Sequence, residues 1–198
     1  HESRCKANGT TREAPGPHNR RRRADGGKLI ERLTATYRVV GLDFRLGPKS
    51  TVPFYTADLS KPESVAEAMA ALKKEHRGRI AAVVHLAAFY DFTGEDDERY
   101  RSVNVEGTRN LIAAMTGFTV ERLVYASRIL VNAPGKPGDL TVEDGTLDPQ
   151  WAYPRSKAPA EAVIRKEAAD IPWSILRLAG VYDDLLTVPT LAQQIARI

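Results

Sequence analysis

The chain has 198 residues, 42% of them hydrophobic and 27% charged, which suits one well-buried globular domain and is too short for two large ones. A single cysteine, Cys5, excludes a disulfide framework, and no run approaches the roughly 20 apolar residues of a membrane span. The net charge of +4 belongs to the first 28 residues, where eight Lys or Arg stand against three Asp or Glu, while the remaining residues hold 21 against 22. These features predict a cytoplasmic protein with no membrane partner. Arg20 to Arg23 lie in the Pro-, Gly- and Asn-rich stretch "PHNRRRRADGG", without the aromatic or base-reading residues of a nucleic-acid face. Residues 1–25 therefore read as a solvated, disordered basic leader, and no nucleic-acid partner is expected.

Downstream, strands and helices alternate. "GKLIERL" (27–33) places Leu29, Ile30 and Leu33 at helical spacing, and the apolar run "YRVVGLDF" ends near Asp43 as a buried strand. Ser60, Pro62 and Glu63 form an N-terminal helix signature, with Ser60 as cap and Glu63 completing a capping box. Val65, Ala68, Met69 and Leu72 give that helix its apolar face. "IAAVVHLAA" (80–88) is apolar at every position but one, as a strand covered on both faces requires. A helix from about Asp96 to Met115 carries Tyr100, Val103, Gly107, Leu111 and Met115 on one stripe, and "RLVYAS" (122–127) is the next strand. Loop signals fill 132–149, a helix follows with Tyr153 and Lys157 in its first turns, and "WSILRL" (173–178) is the last strand. Strands separated by helix-length segments predict an α/β fold, a Rossmann-like doubly wound parallel sheet with helices on both faces.

Ligands of such sheets bind beyond the carboxyl ends of the strands. Asp43 ends one strand, where a carboxylate can accept both hydroxyls of an adenosine ribose and repel a 2′-phosphate, favouring NAD over NADP; Arg45 nearby weakens that preference, and a simple turn role is the alternative. Asp58 ends another short apolar run, with an adenine contact or helix capping as its two uses. In "YPRSK", Tyr153 and Lys157 are four apart on one helix face, so the ammonium can draw the phenol pKa from about 10 toward neutrality and make it a general base for a substrate hydroxyl. A surface helix bearing an aromatic and a lysine is the bland alternative.

Taken in order, "VVGLD", "ADLS", "VVHLAA", "NVEGTRNLIAA", "LVYAS", "YPRSK" and "LRLAGVY" resemble the NAD-dependent epimerase/dehydratase family of extended short-chain dehydrogenases/reductases, from about Gly26 to the end of the chain. The resemblance implies Tyr153 as acid/base, Lys157 also on the nicotinamide ribose, and Ser127 beside the substrate. It also implies a cofactor site made by Gly26, Asp43, Asp58, Leu59, Leu86, Ala87, Ala88, Asn104, Tyr153 and Lys157. NAD is the implied cofactor, the implied partner is a small-molecule substrate such as a nucleotide sugar, and the Tyr100 and Tyr153 helices are candidates for a homodimer interface. No metal is expected.

Three features depart from the family. The hydroxyl expected 25 residues before Tyr153 is replaced by Arg128, preceded by Ser127. Pro159 falls inside the active-site helix, where a proline costs roughly 3 kcal/mol and predicts a kink. The expected first strand and Gly-x-x-Gly-x-x-Gly loop are missing, with Arg20 and Arg23 at two glycine positions and only Gly26 in register. Read one base forward from Gly16, the codons permit Ala-Leu-Ile-Thr-Gly-Ala-Ala-Gly, so a frameshifted or misannotated leader is the expectation, checked by sequencing the gene. The first strand is then absent or disordered, and the domain, 26–198, stops before the substrate-binding region. Three functions stay open: an NAD-dependent oxidoreductase, a non-catalytic nucleotide-binding or redox-sensing module, and an inactive fragment.

Overall fold

The computed structural model describes residues 27–45, 51–91, 95–136 and 138–180. The basic leader, Gly26, the expected first strand and glycine loop, and the chain beyond residue 180 lie outside the described residues. The chain divides between Val39 and Val40 into two units. In the first, helix α1 (27–33) forms as its apolar spacing predicts and ends in a turn, where Thr34 Oγ1 donates to the Glu31 carbonyl at 3.0 Å.

Among its described residues, the second unit contains seven short parallel strands and the helices between them. Strand β1 (Gly41–Asp43) pairs with β2 (Phe54–Thr56), β3 (Arg79–Ile80) with β5 (Thr119–Val120), and β4 (Val83–His85) with β6 (Leu123–Arg128), which pairs in turn with β7 (Trp173–Leu178). Helices α2 (Pro62–His76), α3 (Gly107–Ala114) and α4 (Ala152–Glu167) complete the order of strand, helix, strand expected of a doubly wound sheet. The registers Arg79↔Thr119 and Val83↔Leu123 share the same offset, so β3 with β4, and β5 with β6, are one ladder interrupted at the exposed Ala81 and Ala82.

On one face of β6 the side chains of Leu123, Tyr125 and Ser127 are buried. The core joins Leu123 and Tyr125 to Val65 and Met69 of α2, Leu111 and Ile112 of α3, and Ala160, Val163 and Ile164 of α4. Burying an aliphatic side chain of this size stabilises the fold by about 1.5–3 kcal/mol. On the opposite side the described side chains are more open. Val84, Leu176 and Leu178 stand 36%, 47% and 37% exposed, and among the described residues no strand joins β1 to β4.

One local expectation is corrected. Ser60 is not the cap of α2: Lys61 occupies that position without a side-chain bond, and Pro62 follows it. Asp58 does the polar work one turn earlier, its Oδ1 accepting the Ser60 backbone N–H at 3.1 Å and the Ser60 hydroxyl at 2.6 Å, while the Asp58 N–H donates to Ser64 Oγ at 3.0 Å. Pro159 lies inside α4, which runs helically from Ala152 to Glu167. Its ring is on the exposed side and its missing N–H withdraws one bond from the Arg155 carbonyl.

Ahead of α3 the chain makes a π-helical segment, Tyr100–Glu106. Its wide turn buries Asn104, rather than Val103, together with Tyr100. At Gly107 the helix comes so close to the loop before α2 that a Cβ would lie 2.9 Å from Leu59 Cβ, and Asn110 Nδ2 donates to the Leu59 carbonyl at 2.8 Å.

Candidate active site

Tyr153 and Lys157 sit on the face of α4 turned toward β6. Lys157 is 1% exposed, its Nζ donating to the Ala126 carbonyl at 2.9 Å and lying 4.6 Å from the Tyr125 ring centroid and 5.6 Å from that of Tyr153. A desolvated ammonium over two aromatic faces is held by cation–π attraction as well as by its hydrogen bond. The two tyrosines differ in what they can do. Tyr125 is buried, and burial, followed by the charges of Tyr153 and Glu161, pushes its phenol far above the ordinary range, so it is a neutral wall under the lysine. Tyr153 is half-buried at the helix start.

The loop after β4 fixes Tyr153. Asn104 Oδ1 accepts the Phe89 N–H at 2.6 Å and its Nδ2 donates to the Phe89 carbonyl at 2.9 Å. Four residues earlier, Tyr100 does the same for Asp91: its hydroxyl accepts the Asp91 N–H at 3.1 Å and donates to the Asp91 carbonyl at 3.2 Å. These two side chains replace a strand partner for the loop backbone. Tyr90, between them, packs edge-on against Tyr153 with ring centroids 4.6 Å apart. Asn104 Nδ2 also donates to Ser156 Oγ at 2.8 Å, and that hydroxyl donates to the Tyr153 carbonyl at 2.7 Å. The helices of Tyr100 and Tyr153 pack on each other within the chain.

His85, at the end of β4, closes the floor. Thr108 Oγ1 donates to the Asn104 carbonyl at 2.7 Å, so it accepts from His85 Nε2–H, 3.0 Å away, which fixes the neutral Nε2–H tautomer. Burial, then the charge of Lys157, lowers the imidazole pKa from 6.5 to about 3.

Beneath Lys157 lies a second network. Glu161, 1% exposed, accepts the Ser127 hydroxyl at 2.5 Å, Arg177 through Nε at 3.1 Å and a terminal nitrogen at 2.8 Å, and Arg165 at 3.3 Å. Burial pushes its carboxyl up, but the bonds from Arg177 and Ser127 outweigh that and hold it below the usual range. Arg177 reaches on to Asn132 Oδ1 at 2.8 Å and the Glu143 carbonyl at 2.9 Å, tying down the 132–147 loop.

The structure therefore brings together Tyr153, Lys157 and Asn104, with Asn104 supporting the loop through its own amide. Ser127 faces Glu161 rather than the space beside Tyr153, because strand alternation turns position 127 into the core. Arg128 ends β6 with a buried Nε–H that has no partner. A buried donor left unpaired costs about 1–3 kcal/mol. Asp43 presents an exposed carboxylate at the end of β1, one oxygen taken by the Phe44 N–H at 2.6 Å. Asp58 is committed to its turn and Leu59 to the core, while Leu86 is 42% exposed and Ala87 and Ala88 are half-buried beyond β4. Among the described residues no cluster of His, Cys, Asp and Glu could hold a metal, and no helix is long and apolar enough to cross a membrane. The site roles of Tyr90, Tyr100, Ser156, Glu161 and Arg177 escape a reading of the sequence, although Tyr153, Lys157 and Glu161 repeat at four-residue spacing on one helix face.

Residues 22–185 match the NAD dependent epimerase/dehydratase family. The chain belongs to this family. Among similar members, the UDP-glucose 4-epimerase of Streptomyces lividans is 33% identical over 132 residues, which cover 64% of this chain and 37% of that protein. The decarboxylating sterol-4-alpha-carboxylate 3-dehydrogenase of Saccharomyces cerevisiae is 31% identical over 151 residues, 72% of this chain and 40% of that one. A solved structure, the UDP-glucose 4-epimerase of Thermus thermophilus in complex with NAD, superposes with a TM-score of 0.62 at 30% identity, covering 77% of this chain and 50% of that chain. This epimerase/dehydratase chain spans about two fifths of the length of the curated relatives it matches and about half of the solved one.

Proposed function

We propose that the protein is an NAD-dependent oxidoreductase of the epimerase/dehydratase kind, acting on a hydroxyl-bearing carbon of a nucleotide sugar or related alcohol. The observation that carries this is the Tyr153–Lys157 pair at the carboxyl ends of the parallel strands, with Lys157 held at 2.9 Å by the Ala126 carbonyl. Asp43 suits the adenosine ribose, since a carboxylate accepts two hydroxyls and disfavours a 2′-phosphate. Lys157 suits the second ribose, and Leu86, Ala87 and Ala88 offer an apolar wall beyond β4. NAD, when bound, supplies a hydride acceptor. As a phenolate, Tyr153 takes the proton from the substrate hydroxyl as the carbon is oxidised and, as the phenol, returns it on reduction, the buried ammonium favouring the phenolate before the proton is taken and after it is returned. His85, locked neutral, adds no second positive charge beside Lys157.

A second reading, NAD binding without turnover, is favoured by Ser127 facing Glu161 while Arg128 stands where the family resemblance places a hydroxyl. Calorimetric titration with NAD, followed by a panel of UDP-sugars, tests both. Tyr153→Phe is expected to keep NAD affinity and to lose about 10²- to 10⁴-fold in turnover. Unchanged turnover in that variant removes Tyr153 as acid/base, NAD binding with no turnover of any sugar favours the second reading, and absence of NAD binding overturns both.

A further inference from the structure

We propose that Arg128 is an anion anchor for the substrate, its guanidinium receiving a carboxylate or phosphate oxygen beside Tyr153. This rests on the reading of Tyr153 as the reacting centre. Arg128 is the last residue of β6, leading into the turn Ile129–Val131, which packs against α4. It is half-buried, its Nε–H is buried without a partner, and among the described residues no carboxylate pairs with it. Arg177, Arg165, Arg109 and Arg99 contrast with it, each holding at least one carboxylate. Strand alternation puts Arg128 on the face shared with Ala126, and the register places the apolar Leu178 beside it. A guanidinium presents paired N–H groups that match a carboxylate or phosphate in two-point contact, and one left open at a ligand-binding edge is a receptor waiting for that chemistry.

The position favours substrate over cofactor. A dinucleotide pyrophosphate in such a sheet lies at the helix following the first strand. Arg128 stands on β6, whose Ala126 carbonyl holds Lys157, and Tyr153 is one helical turn before that lysine. An anionic group held there orients a hydroxy acid or phosphorylated alcohol with its hydroxyl toward Tyr153.

The test follows arginine Nε–H signals of the 15N-labelled full chain during titration with acetate, inorganic phosphate and, separately, NAD. The signal missing from Arg128→Gln is expected to shift saturably with at least one anion, with NAD present or absent; the stronger of the two identifies carboxylate or phosphate as the group. NAD affinity in the variant should stay within about twofold. Should Arg128→Gln fail to fold, Arg128→Lys, which keeps the charge and loses the fork, is expected to weaken anion binding at least about fivefold. No saturable shift with either anion overturns the anchor, and a shift caused by NAD that blocks the anions overturns its assignment to substrate. If NAD binds neither chain while the anion shift persists, the anchor stands and the oxidoreductase reading falls.

Discussion

Glu161 and Asp43 are two carboxylates of one domain, and the regions around them are built in opposite ways. Glu161, 1% exposed, ties α4, β6, β7 and the 132–147 loop together through Ser127, Arg177 and Arg165. Asp43 ends a three-residue strand paired with another of the same length, and its carboxylate is exposed with only the adjacent Phe44 N–H on it. The half carrying the Tyr153–Lys157 pair is over-determined by buried polar bonds, whereas the half ending in Asp43 is held by short ladders and leaves its acid exposed.

The contrast can be broken from its strong side first. Glu161→Ala leaves the half-buried Arg177 guanidinium without its carboxylate, and should lower stability by about 3–5 kcal/mol in urea unfolding, with faster proteolysis within the 132–147 loop as it is released. A smaller loss, within the range of a surface change, would place the strength elsewhere. Next comes acid. Unfolded His85 takes up a proton near pH 6.5 but folded His85 only near 3, so stability should fall as pH drops through that window, by up to about 1.4 kcal/mol per pH unit. Glu161, held below its ordinary 4.5, adds a loss that begins only as pH falls beneath that value. His85→Gln should flatten the first window and leave the second, which pH-dependent unfolding would resolve.

Gly107→Ala forces a Cβ against Leu59 at 2.9 Å and should cost about 1–3 kcal/mol, read as a drop in melting temperature. Asp43→Asn sharpens the weak side. Its effect on stability should stay within about 0.5 kcal/mol, while calorimetry should show weakened NAD binding and a smaller preference over NADP.

Much of this is legible in the sequence, for reasons that differ by element. "WSILRL" is strand β7 residue for residue, because Pro172 precedes it and every position pairs with β6. "IAAVVHLAA" reads as one strand, yet ladder pairing stops at His85, since the backbone beyond is held by the side chains of Asn104 and Tyr100, which no local pattern announces. Ser60 resembles a cap because capping boxes are read from spacing alone, whereas Asp58 competes for the same hydroxyl. Ser127 suggests catalysis because sequence order does not reveal which face of a strand a residue takes when one partner is a carboxylate 34 positions away.

The π-helical segment Tyr100–Glu106 has a consequence of phase. One α-helical step turns the chain by about 100°, so deleting a single residue here would regularise the helix and rotate Tyr100 away from Asp91, while Gly107 onward kept its seat against Leu59. Length at this point is therefore a more stringent requirement than composition: the segment should accept many substitutions at its exposed Arg101 and no deletion at all.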